Sequence, residues 1–531
     1  MTQPTAEPEA SLPPVASRGR SVGIVGILTL IVSGFGYLRE AALAARFGLS
    51  TTMDAYFAAI FIPNFLYFVL IVGTLSPIFI PILLQDNADQ NRAKASENFS
   101  VVTTFVLLML LILVACGMIT APKWLPLLFA GFDPSTVQVT VRLIYIIFPA
   151  VLFLALSGIL TAALNGFHKF AVAAFVPALS SITIIAAAFV ARGGNAVYIV
   201  GIATSVGFLL QMLFLIPATA SLGLRYRPML VFHHPAVKRL LRLGGPLLLY
   251  LMVANISVLL ERNLASRLHA GAVSTLTYAQ RLFLVPASFL AAPLAIVAYP
   301  QFASEALRQG RGNLAKQLSR ILRLIVFLFL PVAVWIILNA LPITRVLYEH
   351  GRFVLADSLL TARVLAIYGF AIIPNAVAII LLRCFFAIED TVTPLVAELI
   401  ALVCFAVAAV LLARHFSIEG LAAARAISFF VVTVILMLVL SGRRALLKLD
   451  LGLSGFLVRT VAAAIGMGAV NWMGLRLLQS AFDSGNTALR LGVICLLLIV
   501  SGAVYLTLAR LLRLAEARQI WTTALDLIRG Q

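Results

Sequence analysis

Apolar residues occur along this chain in long runs that are separated by short polar segments. Most runs hold about twenty residues, the length of α-helix that crosses a hydrocarbon layer about 30 Å thick. They recur from residue 21 to residue 511 and predict fourteen membrane-spanning helices. The predicted limits are 21–46, 54–85, 98–121, 137–164, 170–192, 196–220, 238–268, 272–303, 318–341, 359–387, 392–413, 418–441, 455–478 and 488–511. The pattern therefore predicts an all-α polytopic membrane protein.

Composition excludes several classes of protein. Hydrophobic residues make up 62% of the 531 residues and charged residues 11%, against about 45–50% and about 25% in soluble domains. The core of a water-soluble protein could not bury so large a share of apolar residues. The composition therefore excludes a soluble enzyme, a nucleic-acid-binding domain and a disordered chain. The four cysteines lie inside apolar runs and the six histidines are scattered. We therefore expect no disulfide framework, no metal site, no cofactor and no nucleic-acid partner.

The distribution of basic residues predicts the orientation of the chain. Lysine and arginine give a net charge of +19 and concentrate in the even-numbered breaks between helices and in both tails. Cytoplasmic loops carry such an excess, so both termini are predicted to be cytoplasmic. The ninth break is an exception, because Arg345 and Arg352 are offset there by Glu349 and Asp357. The tails are residues 1–20, rich in Pro, Ala and Glu and predicted to be disordered, and residues 513–531.

The two halves of the chain resemble each other at a nearly constant offset. Tyr56 and Tyr278 are 222 residues apart, and Pro63 and Pro286 are 223 apart. Such an offset spans six predicted helices. Because an even number of helices preserves orientation, we expect two parallel repeats about an axis along the membrane normal. The predicted domains are an N-lobe (21–222), a C-lobe (235–442) and two extra C-terminal helices (453–512).

Matched prolines in the two repeats point to a mechanism. A proline inside a helix removes a backbone hydrogen bond and kinks the helix, which is tolerated where neighbours or a cavity satisfy the freed carbonyl. The prolines are Pro63, Pro77 and Pro81 in the second predicted helix and Pro286, Pro293 and Pro300 in the eighth. We interpret these helices as matching walls of the cavity of an alternating-access transporter.

Several charged residues fall inside predicted spans, where ionised side chains cost about 2.5–3.5 kcal/mol each and should face a cavity. Arginine suits a phosphate because its planar fork binds two oxygens and keeps its charge. We therefore expect an anionic headgroup to bind at Arg39, Glu40, Asp54, Glu261, Arg262 and Arg281. An alternative is that the adjacent Arg–Glu pairs only neutralise each other and lock helices together. Further charges in later helices are Arg383, Glu398 and Arg425.

Three groups of segments are specific in their order and spacing: GYLREAALAARFGLSTTMDAYFAAIFIPNFL, ERNLAS with the following YAQRL, and RCFFAIEDTVTP with the following GLAAA. With these segments, the chain resembles the MurJ/MviN family of lipid II flippases over about residues 21–515. The family belongs to the multidrug/oligosaccharidyl-lipid/polysaccharide exporter superfamily. The resemblance implies two six-helix lobes around a central cavity, with the last two helices forming a groove for a polyprenyl tail.

The resemblance also implies a function and the residues that perform it. A monomeric transporter, not an enzyme, would flip undecaprenyl-diphosphate-linked peptidoglycan precursor to the outer leaflet of the bacterial inner membrane. The family's functional positions match Arg39, Glu40, Asp54, Glu261 and Arg281. The chain has no P-loop, so energy would come from membrane potential, a monovalent cation gradient or the substrate gradient.

Some positions depart from the family pattern. Ser33 and Phe65–Tyr67 stand where the family often has arginines, and Phe405 and Ala409 stand where it often has Asn or Asp. Three alternative functions remain open. One is a flippase for another polyprenyl-linked saccharide, and another is a cation-coupled drug exporter, which predicts an acidic, aromatic cavity. The third is a membrane-embedded enzyme, which needs an acid cluster or metal ligands.

Overall fold

A computed structural model of the chain describes residues 15–75, 92–167, 169–231, 233–307, 311–442, 453–483 and 485–517. Over these ranges the chain is helical and contains no β-strand, which confirms the predicted all-α class. Pro77 and Pro81 lie outside the described residues, as do residues 1–14 and 518–531 of the predicted tails.

The helices follow the apolar runs of the sequence. Three short segments depart from α-helical geometry: the π-helical Phe68–Leu75 and Ala287–Ala291 and the 3₁₀-helical Phe148–Ala150. The α-helices are α1 (Val15–Phe47), α2 (Thr51–Tyr67), α3 (Arg92–Leu128), α4 (Pro134–Ile147), α5 (Val151–Gly166), α6 (Phe170–Phe175), α7 (Pro177–Val190), α8 (Ala196–Ala220), α9 (Pro235–Ser266), α10 (Ala272–Pro286), α11 (Ala292–Leu307), α12 (Arg311–Leu338), α13 (Ala340–Tyr348), α14 (Leu355–Gly369), α15 (Ile372–Ala387), α16 (Val392–Ser441), α17 (Leu453–Leu477), α18 (Gln479–Asp483) and α19 (Thr487–Leu511).

Many of these helices are long and apolar enough to cross a membrane. Among the described residues there are 11 such helices, or up to 12 if α14 and α15, which meet at a bend of 47°, form one span. The chain is therefore a multi-pass membrane protein. The α9 helix, 32 residues long, occupies the predicted span 238–268.

One pair of matched prolines lies beside irregular helix. Pro63 lies within α2, which passes into the π-helical segment at Phe68. Pro286 ends α10, and the second π-helical segment follows it before α11 begins. A proline withholds the N–H that an α-helix needs, and π-turns accommodate such interruptions. Pro293 and Pro300, by contrast, lie within the regular helix α11, and the two-repeat layout stays a prediction.

The 50-residue helix α16 contains a backbone break at Ser417, where φ is 51° and ψ is −127°. A straight helix of this length would extend about 75 Å, more than twice the thickness of the hydrocarbon layer. At Gly420 an added Cβ would overlap the carbonyl oxygen of Leu412, so glycine permits the two parts to approach closely. The break lies between the two spans that the sequence predicts, which end at residue 413 and begin at residue 418.

Contacts divide the chain into two compact units. The first unit contains Met1–Ala42, Ile62–Ile119 and Ile144–Leu248, and the second contains Leu43–Phe61, Thr120–Leu143 and Leu249–Gln531. These units do not follow the limits of the two predicted lobes. The lobes were drawn from sequence similarity alone, and they stay a prediction.

In the first unit, the segment that follows α8 is hydrogen-bonded along α3. Three alternate backbone N–H groups donate to hydroxyls spaced four residues apart. Two residues of extended chain rise about 6.6 Å and four residues of helix about 6.0 Å, so the two repeats stay in step. The bonds are Arg225 N–H to Ser96 Oγ (3.3 Å), Arg227 N–H to Ser100 Oγ (3.0 Å) and Met229 N–H to Thr104 Oγ1 (3.3 Å).

In the second unit, α17 and α19 pack on each other and on α12. Tyr505 of α19 donates to the carbonyl of Phe327 at 2.7 Å, and Ser501 donates to Asn471 Oδ1 at 3.0 Å. Because an unpaired polar group in hydrocarbon is costly, these buried bonds fix the pair against α12. The lipid-tail groove predicted for these two helices stays a prediction.

Candidate functional site

Glu261 of α9 is a buried carboxylate at the centre of a polar network in the second unit. Glu261 is 2% exposed. Arg425 of α16 donates to its Oε2 through Nη2 at 2.8 Å and through Nε at 3.2 Å. Tyr368 of α14 donates its hydroxyl to Oε1 at 2.9 Å. Both carboxylate oxygens are therefore hydrogen-bonded, and three helices meet at one ion pair.

An aromatic ring completes the surroundings of Arg425. The guanidinium carbon lies 4.4 Å from the centroid of the fully buried Phe405 ring, within cation–π range. A buried ion pair is retained only when further interactions offset the desolvation of both ions. Tyr368 and Phe405 supply those interactions. The position at which the family often has Asn or Asp therefore holds a ring against an arginine in this chain.

Arg262, the next residue after Glu261, has different partners. Its Nη1 donates to Thr277 Oγ1 at 3.1 Å, and its guanidinium carbon lies 4.8 Å from the centroid of Phe61. Its Nε is buried and has no hydrogen-bond partner among the described residues. Successive residues of an α-helix point about 100° apart, so the side chains of Glu261 and Arg262 point in different directions. The hydrogen bonds of Glu261 go to other helices, and Glu261 and Arg262 are not a self-contained pair.

Arg281 of α10 is exposed and lies close to Arg262. Arg281 follows Thr277 by four residues, which places both side chains on one helical face. Thr277 binds Arg262, and the charges of Arg262 and Arg281 interact. Two guanidinium groups therefore share one region beside α10. Two neighbouring cations suit a ligand with two linked phosphates.

Asp54 of α2 caps the N-terminus of α10. Its Oδ2 accepts the N–H of Gly271 and its Oδ1 accepts the N–H of Ser274, both at 2.7 Å. Gly271 is the N-cap residue and has no side chain to bind the free N–H groups, so Asp54 replaces that cap from another helix. Asp54 thus positions the helix that carries Arg281, with both carboxylate oxygens engaged.

Close backbone contacts surround this cap. At Gly131 an added Cβ would overlap the carbonyl of Ser266, whose hydroxyl accepts the Gly131 N–H at 3.2 Å. At Gly271, where φ is +85°, an added Cβ would lie 2.8 Å from Leu49 Cβ. Only glycine satisfies both the space and the positive φ at this position. The loops that follow α1, α3 and α9, all predicted to be non-cytoplasmic, therefore pack together.

In the first unit, Arg39 and Glu40 of α1 bind each other. Arg39 Nη2 lies 2.7 Å from Glu40 Oε1, and the two side chains are 21% and 3% exposed. This contact agrees with the alternative in which the adjacent pair neutralises itself. The structure thus groups Asp54, Glu261, Arg262 and Arg281 in one unit and joins Arg39 to Glu40 in the other.

Sequence reasoning missed Tyr368 and Arg425 as partners of Glu261. A signal for Arg425 was available, because it lies inside a span and has no acidic residue within one helical turn. A buried arginine of this kind needs a partner from another helix. No pattern in the sequence identifies Glu261, 164 residues earlier, as that partner.

Comparison with known proteins shows the family. The family described as "MurJ: Lipid II flippase MurJ" matches residues 43–492. A probable lipid II flippase MurJ of Rhizobium meliloti (strain 1021) is 30% identical over 508 residues, which cover 91% of this chain and 92% of that protein. The lipid II flippase MurJ of Burkholderia cenocepacia is 30% identical over 381 residues, 69% of this chain and 74% of that protein.

Solved structures share the fold. "Lipid II flippase MurJ, inward closed conformation" matches with a TM-score of 0.77 and 23% identity, covering 92% of this chain and 98% of that one. An inward-facing MATE family multidrug resistance transporter of the MOP superfamily matches with a TM-score of 0.64 and 16% identity, covering 79% and 98%. Since the family match covers most of the sequence, this chain belongs to the MurJ family of lipid II flippases.

Proposed function

We propose that this protein carries lipid II, the lipid-linked peptidoglycan precursor, from the cytoplasmic to the outer leaflet by alternating access. The observation that carries the proposal is the family match over residues 43–492. The protein is a transporter and not an enzyme, since flipping makes and breaks no covalent bond. Its physical task is to move a diphosphate and its sugars through hydrocarbon while the prenyl tail stays in the membrane.

In this proposal Arg262 and Arg281 hold the diphosphate. Their proximity and the buried, unpartnered Nε of Arg262 support this role. Guanidinium groups stay charged in an apolar setting and bind phosphate oxygens in pairs. Arg39 and Glu40 stay candidates because they occupy the equivalent place in the first predicted repeat.

The carboxylates have positioning roles in the same proposal. Glu261 keeps the α9 segment fixed through Arg425 and Tyr368, and Asp54 holds the N-terminus of α10. The Asp54 cap and the glycine contacts around it are proposed to be the closed state of the outer gate. Opening the gate would then break the two Asp54 hydrogen bonds, and closing it would restore them.

The membrane layout completes the proposal. The described residues hold twelve candidate spans when α14 and α15 count as one. Counting α9 as a further span, and dividing α16 at Ser417 into two, gives fourteen crossings. The paired π-helical interruptions support two parallel six-helix repeats. We propose further that both termini are cytoplasmic, that the prenyl tail packs on α17 and α19, and that a monomer acts, driven by membrane potential or a monovalent cation gradient.

A complementation experiment tests the function. The chain is expressed in a bacterial strain depleted of its own lipid II flippase, and growth and the lipid II pool are measured. We expect rescue, with lipid II returning to its normal level. Good membrane expression without rescue, together with persistent lipid II accumulation, would contradict the proposal. Rescue of a strain that lacks an exopolysaccharide flippase, in that case, would identify another polyprenyl-linked saccharide as the substrate.

A further inference from the structure

The first unit carries an apolar groove that the proposed transport mechanism does not use. It lies between α6, α7 and α8 and has a volume of about 600 Å³. It is an open groove, not an enclosed cavity, and it is lined by Val172, Leu179, Leu210, Leu213, Phe214, Pro217 and Ala218.

Two prolines and two helical stripes form the groove. The short helix α6 ends at Phe175, and α7 begins again at Pro177, so the span is interrupted near one end. Pro217 interrupts the hydrogen bonding of α8 near the same end. The α8 lining residues follow the i, i+3, i+4, i+7 spacing of one helical face. Val172 and Leu179, seven residues apart, face them.

A lysine lies at the end of the groove. Lys169 immediately precedes α6 and is exposed, and its Nζ donates to Ser221 Oγ at 2.8 Å just beyond the end of α8. The bond connects the two helices that form the groove walls. An ammonium group has three N–H donors, so two of them are left for another acceptor. The basic residues of this break predict that it faces the cytoplasm.

We propose that this groove binds one anionic glycerophospholipid, with an acyl chain along α7 and α8 and its phosphate at Lys169. The groove lies on membrane-spanning helices, so lipid chains surround it. Hydrocarbon chains gain no hydrophobic free energy by leaving lipid for protein, and selectivity must therefore come from the headgroup. A single ammonium matches the single negative charge of a phosphodiester. A bound lipid of this kind would stabilise the interrupted ends of α6 and α8.

The test measures lipid binding to the purified full-length protein by native mass spectrometry. The probes are dioleoyl phosphatidylglycerol and dioleoyl phosphatidylcholine, which have the same chains and differ in headgroup charge. We expect tighter binding of phosphatidylglycerol and about a fivefold loss of this preference in Lys169→Ala, the effect of one basic residue near a membrane surface. Lys238→Ala removes another exposed lysine and should leave the preference unchanged.

Groove-filling variants test the position of the chain. Ala218→Phe and, independently, Leu179→Phe should remove the tightest-bound phosphatidylglycerol, while Val403→Phe on the exposed face of α16, outside the groove, should retain it. A variant counts only if its thermal unfolding matches the parent. Equal binding of the two probes by the parent, or full retention in both groove-filling variants, would overturn the proposal. Displacement of phosphatidylglycerol by equimolar undecaprenyl phosphate would overturn the assignment of a glycerophospholipid.

Discussion

Two Arg–Glu contacts that look alike in sequence differ in structure. Arg39 and Glu40 are neighbours on α1, and the Arg39 side chain is 21% exposed. Glu261 also has an arginine beside it, yet it binds Arg425 from a helix far along the chain, and both of these side chains are less than 8% exposed. The first contact is local, and its arginine is partly exposed while its carboxylate is buried. The second joins three helices in the interior, so it connects distant segments, which the first does not.

The difference has an energetic consequence. Ion pairs exposed to solvent contribute about 0–1 kcal/mol, but Glu40 is only 3% exposed, so the loss of Arg39 should cost more than that and less than the loss of a cation from a pair in which both ions are buried. Breaking a buried pair costs about 3–5 kcal/mol, because an unpaired ion remains inside the protein. The two contacts should therefore respond very differently when their arginines are removed.

The largest effect is expected from Arg425→Leu. This change leaves Glu261 buried without its cation and should lower the free energy of unfolding by about 3–5 kcal/mol. Denaturant unfolding of the purified protein in detergent measures the change. The double variant with Glu261→Gln removes both charges and should recover most of the loss. Equal destabilisation by the single and double variants would show that the ion pair does not hold these helices.

The carboxylate of Asp54, which caps the N-terminus of α10, should have the next largest effect when it is removed. Asp54→Ala leaves the N-terminus of α10 without its cap and should cost about 1–2 kcal/mol, since loss of an N-cap costs this much. Asp54→Asn keeps one acceptor and should cost less. Denaturant unfolding of both purified variants in detergent measures these two changes. If Asp54→Ala is neutral, the cap does not stabilise α10, and the proposed gate contact loses its support.

Arg39→Ala should lower the free energy of unfolding by less than Arg425→Leu does, because Arg39 is partly exposed and contacts a neighbour on its own helix, whereas the Arg425 contact joins three helices. The substitution matches Arg425→Leu in removing an arginine from a Glu contact, and it differs in the exposure of the pair. Unfolding free energies measured under identical conditions compare the two. A loss as large as that of Arg425→Leu would remove the distinction between the local and the long-range contact.

The smallest effect is expected at Asp133, an exposed carboxylate in the break before α4. Hydrogen bonds from Ser135 and Thr136 stabilise the charged form and lower the pKa of Asp133 to about 2. Because this pKa lies below its ordinary value near 3.8, the contribution is complete above pH 4 and disappears as the pH falls through 2. Melting temperatures between pH 2 and pH 5 should fall slightly less steeply for Asp133→Asn, and an identical pH profile would contradict the assignment.

Much of the fold was predictable because its signal is local. Apolar run length predicted an all-helical chain that crosses the membrane many times, and one pair of matched prolines, Pro63 and Pro286, lies where helix geometry is interrupted. The break at Ser417 also lies where the polarity of the sequence places it. Each of these features depends on a few neighbouring residues, whose effect on a helix in lipid is strong.

The partners of charged residues were not predictable, because they depend on contacts between distant segments. The exception to the charge rule in the ninth break illustrates this. Glu349 accepts a hydrogen bond from Arg345, four residues earlier, at 2.9 Å and another from Arg490 of α19 at 3.2 Å. The carboxylate thus offsets one basic residue that is near in sequence and one that is 141 residues away, and a count of charges within the ninth break cannot include the second.

The most direct test of the central claim measures lipid II transport by Arg281 variants. Arg281→Ala and Arg281→Lys are expressed at equal levels in the flippase-depleted strain, and lipid II reaching the outer leaflet is measured, with Arg239→Ala as the control for loss of a basic residue. We predict that Arg281→Ala loses at least tenfold in rate, that Arg281→Lys keeps part of it, and that Arg239→Ala is unaffected. Full transport by Arg281→Ala would contradict the proposal that guanidinium groups beside α10 hold the diphosphate.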